Sequence, residues 1–140
     1  MEDIIVGRLM SSDVVTITPG TSVEEAANLL LQENIGSVVV VDENEKLKGI
    51  LTSTDFVQIV AEKEPKDDTA VTEYMTEEVV TTNAHEQIQD AADRVITYEI
   101  HHLPVVDSDD HVVGMLSTTD LTAYISAIQD PTPDTAELGV

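Results

Sequence analysis

The chain has 140 residues, 41% of them hydrophobic, no cysteine, and 28 acidic against 6 basic side chains, for a net charge of −22. That is enough apolar material for one compact core, and without cysteine neither disulfides nor thiolate metal sites can form. The acidic excess leaves no basic surface to neutralise phosphates, which argues against nucleic acid and anionic membrane as partners.

The start, Met1-Glu2-Asp3-Ile4, lacks the basic residues and long apolar run of a secretory signal, and stretches such as Val38 to Val41 are far too short to span a bilayer. A soluble cytoplasmic protein is the expectation. In chain order, Val6 to Met10 reads as a short lead-in helix and β-branched Val14 to Thr18 as a strand ended by Pro19-Gly20. Thr21-Ser22-Val23-Glu24 matches a capping box. Behind it Val23, Ala26, Ala27, Leu30 and Leu31 form one apolar stripe at helical spacing, with Gly36 as the stop. Ser37 to Val41 has the pattern of a strand buried on both faces. Asp42 to Glu45 is a turn, Leu47 to Thr52 a strand, and a helix capped by Thr54 or Ser53 runs from Asp55 toward Glu62. Glu62 to Asp68 is a solvated linker. The second half expects a strand at Val79 to Thr82 and a helix stripe of Ile88, Ala91, Ala92, Val95 and Ile96. Then come a strand at Leu103 to Val106, a turn at Asp107 to Asp110, a strand at Val112 to Ser117 and a helix at Leu121 to Ile128. Residues 131–140 are expected to be a disordered tail.

The two halves are copies. Met10 to Phe56 lies over Met75 to Leu121 without a gap at an offset of sixty-five residues, and about fourteen of some forty-seven pairs are identical. Val14-Val15-Thr16 meets Val79-Val80-Thr81, Val40-Val41-Asp42 meets Val105-Val106-Asp107, Gly49 meets Gly114, and Thr54-Asp55 meets Thr119-Asp120. Such a duplication predicts a pseudo-twofold pair, repeat one at 1–64 and repeat two at 65–130, with two related clefts between them.

At each strand-to-helix turn a hydroxyl stands three residues before an acid, Thr52-x-x-Asp55 and Ser117-x-x-Asp120. The carboxylate suits a ribose diol, and the hydroxyl with free helix amides suits a phosphate or another polar group. Plain helix capping explains the same residues, and the two roles are compatible. His101-His102 has no counterpart in repeat one, where Gly36-Ser37 stands. The four histidines lack metal-ligand spacing, so no metal is expected. No nucleophile is paired with a base, so no catalytic residue is assigned. Met10, Met75 and Met115 read as core.

The doubled lead-ins Val6-Gly7-Arg8-Leu9-Met10-Ser11 and Val71-Thr72-Glu73-Tyr74-Met75-Thr76, with His102-Leu103-Pro104-Val105-Val106-Asp107 and both strand-to-helix turns, resemble the cystathionine β-synthase (CBS) domain family in tandem arrangement. The likeness spans roughly Val6 to Ile128. It implies an α/β (α+β) fold of two pseudo-twofold repeats, each a small sheet flanked by two helices. It also implies a regulatory module that binds an adenosine compound, AMP, ADP, ATP or S-adenosylmethionine in type, in crossed clefts between the repeats. One cleft would join Thr72, Glu77, Ile100, His101 and His102 to Thr52 and Asp55. The other would join Gly7, Ser12, Ile35 and Gly36 to Ser117 and Asp120. A homodimer and a regulated protein partner are further implications, with no required cofactor. A ligand-free interaction and dimerisation module is the alternative. The scarcity of lysine beside abundant Asp, Glu, Thr and Val resembles proteins of salt-loving archaea.

Overall fold

A computed structural model of the chain describes residues 4–62 and 68–129; positions 63–67 of the expected linker and the tail at 131–140 lie outside the described residues. The first repeat runs through a 3-10 turn at Val6–Arg8, strand β1 (Thr16–Ile17), helix α1 (Val23–Glu33), β2 (Ser37–Val41), β3 (Leu47–Thr52) and α2 (Ser53–Ala61). The second has a 3-10 turn at Val71–Glu73, α3 (Ile88–Tyr98), β4 (His102–Val106), β5 (Val112–Ser117) and α4 (Thr118–Gln129). This is an α+β molecule of two small sheets, β1-β2-β3 and β4-β5, each backed by two helices.

Both halves carry the same irregularities. β2 and β4 are antiparallel to β3 and β5, and each register shifts once, at Val40/Val41 and at Val105/Val106. Each turn between those strands is closed by its leading aspartate. Asp42 Oδ1 accepts from the Asn44 and Lys46 amides at 2.8 and 3.0 Å, and Asp107 Oδ1 accepts from the Asp109 and His111 amides at 2.9 Å each. These backbone bonds lower both carboxyl pKa values.

Several local expectations change. The strand expected at Val14 to Thr18 shrinks to Thr16–Ile17, and that at Val79 to Thr82 is reduced to one bridge between Thr82 and Val105. A proline is the reason. In repeat one the Val39 amide donates to Val15 at 3.2 Å; its counterpart Pro104 has no N–H to give. Ser22, not Thr21, caps α1, with its hydroxyl accepting from the Glu25 amide at 3.1 Å. Helix α2 begins at Ser53 with Thr52 as cap, two residues before the expected start. Helix α1 stops at Asn34, whose φ of 53° turns it left-handed, rather than at Gly36; Glu99 ends α3 with the same φ.

The two cores exchange their lead-ins. Val71 is fully buried in the cluster with Val38, Val40 and Leu51, and Tyr74 and Met75 pack there as well. Val6 is fully buried in the other, with Leu103, Val105 and Leu116, joined by Leu9 and Met10. Each buried valine contributes about 1.5–3 kcal/mol of apolar burial, so the exchange ties the repeats together. It also sets the register: Thr76 pairs with Ile50, and Ser11 with Met115. A Cβ on Gly49 would sit 2.6 Å from Met75 Sδ and 2.9 Å from the Thr76 carbonyl, and Gly114 is crowded alike by Met10 and Ser11. Only glycine allows the lead-in to lie this close.

Candidate functional site

Where β3 runs into α2, the Asp55 carboxylate folds back on the turn. Its Oδ2 accepts from the Thr52 amide at 2.8 Å and from the Thr52 hydroxyl at 3.3 Å. The β5–α4 turn repeats this, with Asp120 Oδ2 accepting from the Ser117 amide at 2.8 Å and hydroxyl at 3.1 Å. Capping therefore uses one oxygen of each acid. Oδ1 of Asp55 and of Asp120 has no protein partner among the described residues and keeps full acceptor capacity.

Asp55 lines a cavity of about 460 Å³. Thr52, Ser53 and Thr54 line it beside Asp55; Ile50, Val79, Val80 and Ile100 supply apolar surface; Glu78, Glu99, His101 and His102 are its other titratable side chains among the described residues. Thus Thr52, Asp55, Ile100, His101 and His102, which the family resemblance assigns to one cleft, line this cavity together. Thr72 and Glu77 do not line this cavity; Thr76 and Glu78 stand there instead. The Val71–Glu73 stretch is spent in a 3-10 turn, so the lead-in reaches β3 only at Thr76. No periodicity in the sequence marks that turn.

The pseudo-equivalent cavity is smaller, about 280 Å³, and holds Ile35, Gly36, Ser117 and Asp120 with Ser11, Asp13 and His102. Neither Gly7 nor Ser12 lines it; Gly7 instead lies against Ala84, its amide donating to that carbonyl at 2.9 Å. Among the described residues no lysine or arginine lines either cavity.

His102 belongs to both. A Cβ on Gly36 would lie 2.9 Å from its Nε2 and 3.0 Å from its Cε1, so the imidazole rests directly on the bare backbone of Gly36. Burial, and secondarily the neighbouring His101, push its pKa below the ordinary histidine value. The ring is therefore neutral at pH 7, a single N–H donor with one acceptor nitrogen.

Two other polar clusters lie outside these clefts. A wider concavity of about 790 Å³ contains Arg94, but its guanidinium is bonded to Glu86, which also accepts from Thr82. Asp107, Asp109 and His111 bring one ligand atom each within 4.8 Å of one another. Asp107 is already engaged there, by two backbone amides and by His111 Nδ1 at 3.1 Å. No described helix is long and apolar enough to cross a membrane.

Comparison with known proteins agrees with this geometry. The chain is 34% identical over 120 residues to homoserine O-acetyltransferase of Methanohalobium evestigatum, a match covering 86% of this chain but 24% of that protein. The chain thus spans about a quarter of that relative's length. The CBS domain pair of protein MJ0100, solved in complex with 5′-methylthioadenosine and S-adenosyl-L-methionine, superposes with a TM-score of 0.85 at 30% identity, covering 91% of this chain and 100% of that one. CBSX2 in complex with AMP superposes with a TM-score of 0.78 at 25% identity, covering 89% and 98%. The CBS domain model matches twice, at residues 6–62 and 71–127, and the chain belongs to the CBS domain family as a tandem pair.

Proposed function

We propose that this chain is a regulatory module that binds an adenosine-containing metabolite free of phosphate groups, in the cleft of Asp55. The observation that carries the reading is the pairing of a free Asp55 Oδ1 with a cavity that no lysine or arginine lines among the described residues. A cavity of about 460 Å³ falls in the range of small-molecule sites. Asp55 offers acceptors to a ribose diol, while Ile50, Val79, Val80 and Ile100 offer apolar surface to a base. Glu78 and Glu99 repel phosphate and suit a cation, so a sulfonium nucleoside or an uncharged thioether is preferred over AMP or ATP. A ligand spanning both repeats favours the arrangement in which Asp55 and the histidines face each other, and that differential affinity is the signal passed to a protein partner.

The reading extends to a homodimer in a salt-rich cytoplasm. Leu31 and Val60 of repeat one, 80% and 76% exposed, sit where Ile96 and Ile125 stand in repeat two, 74% and 40% exposed. Apolar residues left bare at equivalent places on both helix pairs suit a second copy. The same faces favour the competing reading, an interaction module with empty clefts. Calorimetric titration of 5′-methylthioadenosine into the wild type and Asp55→Ala separates the two. A wild-type binding event that disappears from the variant supports the ligand reading; no heat with 5′-methylthioadenosine, S-adenosylmethionine or AMP leaves the interaction module.

A further inference from the structure

The two clefts are not independent cavities, because one side chain walls both. His102 lines the Asp55 cleft and the Asp120 cleft, and Gly36 beneath it lines both as well. The arrangement breaks the pseudo-symmetry. In repeat one the position of His102 is Ser37, buried and small, and the position of His101 is Gly36, which leaves the room the imidazole fills. The ring packs against Gly36, where a Cβ would meet Nε2 at 2.9 Å and Cε1 at 3.0 Å, so the backbone limits its movement on that side. Movement away from one cleft therefore carries it toward the other.

We propose that His102 makes occupancy of the two clefts antagonistic, so that a nucleoside in one weakens binding in the other. Two physical effects share that sign. A ligand that presses the imidazole out of its own cleft narrows the neighbouring one, whose volume is only about 280 Å³ on the Asp120 side. A neutral imidazole also carries a single N–H, so a hydrogen bond donated to one ligand is withdrawn from the other. The depressed basicity of His102 keeps the ring in that one-donor form. The coupling acts through a residue on both surfaces and needs no longer path.

This inference rests on the nucleoside reading of the preceding subsection, and the experiment separates the two. 5′-Methylthioadenosine is titrated calorimetrically into the wild type, Asp55→Asn and Asp120→Asn. Asparagine keeps an oxygen for the capping amide but replaces the second acceptor with a donor, so each variant leaves one working cleft. The wild type is expected to bind its second equivalent at least about fivefold more weakly than the same cleft binds alone. His102→Ser, which copies the residue repeat one carries there, is expected to restore the isolated affinities. Wild-type affinities equal to those of the isolated clefts overturn the coupling and leave the nucleoside reading standing. An Asp120 cleft that stays empty even in Asp55→Asn also overturns it. Absence of binding in every protein removes both. Should His102→Ser fail to fold, the comparison of the wild type with the two aspartate variants still decides.

Discussion

Asp55 and Asp120 each hold the fold with one oxygen and leave the other available to a ligand: Oδ2 closes the first turn of a helix while Oδ1 has no protein partner among the described residues. Removing the carboxylate at Asp55 should cost about 1 kcal/mol of capping stability besides the binding site. A residue-scale asymmetry without ligand consequence is the Glu86–Arg94 pair, which repeat one replaces with Thr21 and Leu29. The Arg94 guanidinium holds the Glu86 carboxyl below its ordinary value of 4.5. A depressed carboxyl stabilises the fold at pH values above its unfolded pKa and loses that contribution as pH falls through the folded one. Because the pair is partly exposed, it contributes about 1 kcal/mol or less. Glu86→Gln should therefore narrow the difference in urea midpoint between pH 7 and pH 3, and an unchanged difference would contradict the assignment. The Ser/Thr-x-x-Asp turns were legible in the sequence, since both partners lie three residues apart. The seat of His102 on Gly36 was not: it joins residues of different repeats, and nothing local to either marks the contact.

Among the elements, the glycines in β3 and β5 govern how the halves interlock. Gly49→Ala would drive a methyl against Met75 and the Thr76 carbonyl, and the carbonyl cannot turn aside without breaking its bridge to Ile50. A loss of about 1–3 kcal/mol is expected by chemical denaturation; unchanged stability would mean that the lead-in does not dock there. The helix stripes were readable from their spacing, but not which of their residues the monomer covers. Val23 and Ala26 are buried as the stripe requires, whereas Leu31 and Ile96 stay bare, since helical period defines a face and not what packs on it. Ile96→Lys should leave monomer stability within about 0.5 kcal/mol and shift the mass measured by light scattering from dimer to monomer. A monomeric wild type would contradict the dimer reading. The short strand before α3 failed for a reason visible only in three dimensions, the missing amide of Pro104 opposite it.

At the scale of the whole molecule, the repeats share cores through exchanged lead-ins, so neither half buries its apolar surface alone. The constant offset disclosed the duplication; the crossing of the lead-ins came only from the family resemblance, because sequence identity does not say which copy a segment packs against. A net charge of −22 on this small body favours expansion, and salt relieves it by shortening the Debye length to about 3 Å at 1 M. The melting temperature should rise steadily from millimolar to molar KCl, and a flat profile would contradict the salt-adapted reading. On the proposed reading, function at this scale depends on a cleft formed by both halves and lined, among the described residues, by no lysine or arginine. The most direct test is a thermal-shift panel in about 2 M KCl comparing 5′-methylthioadenosine and S-adenosylmethionine with AMP and ATP. The nucleoside reading predicts a rise with the first two, little with the nucleotides, and a smaller rise for Asp55→Ala, which keeps only the Asp120 cleft; a rise with AMP or ATP alone would contradict it.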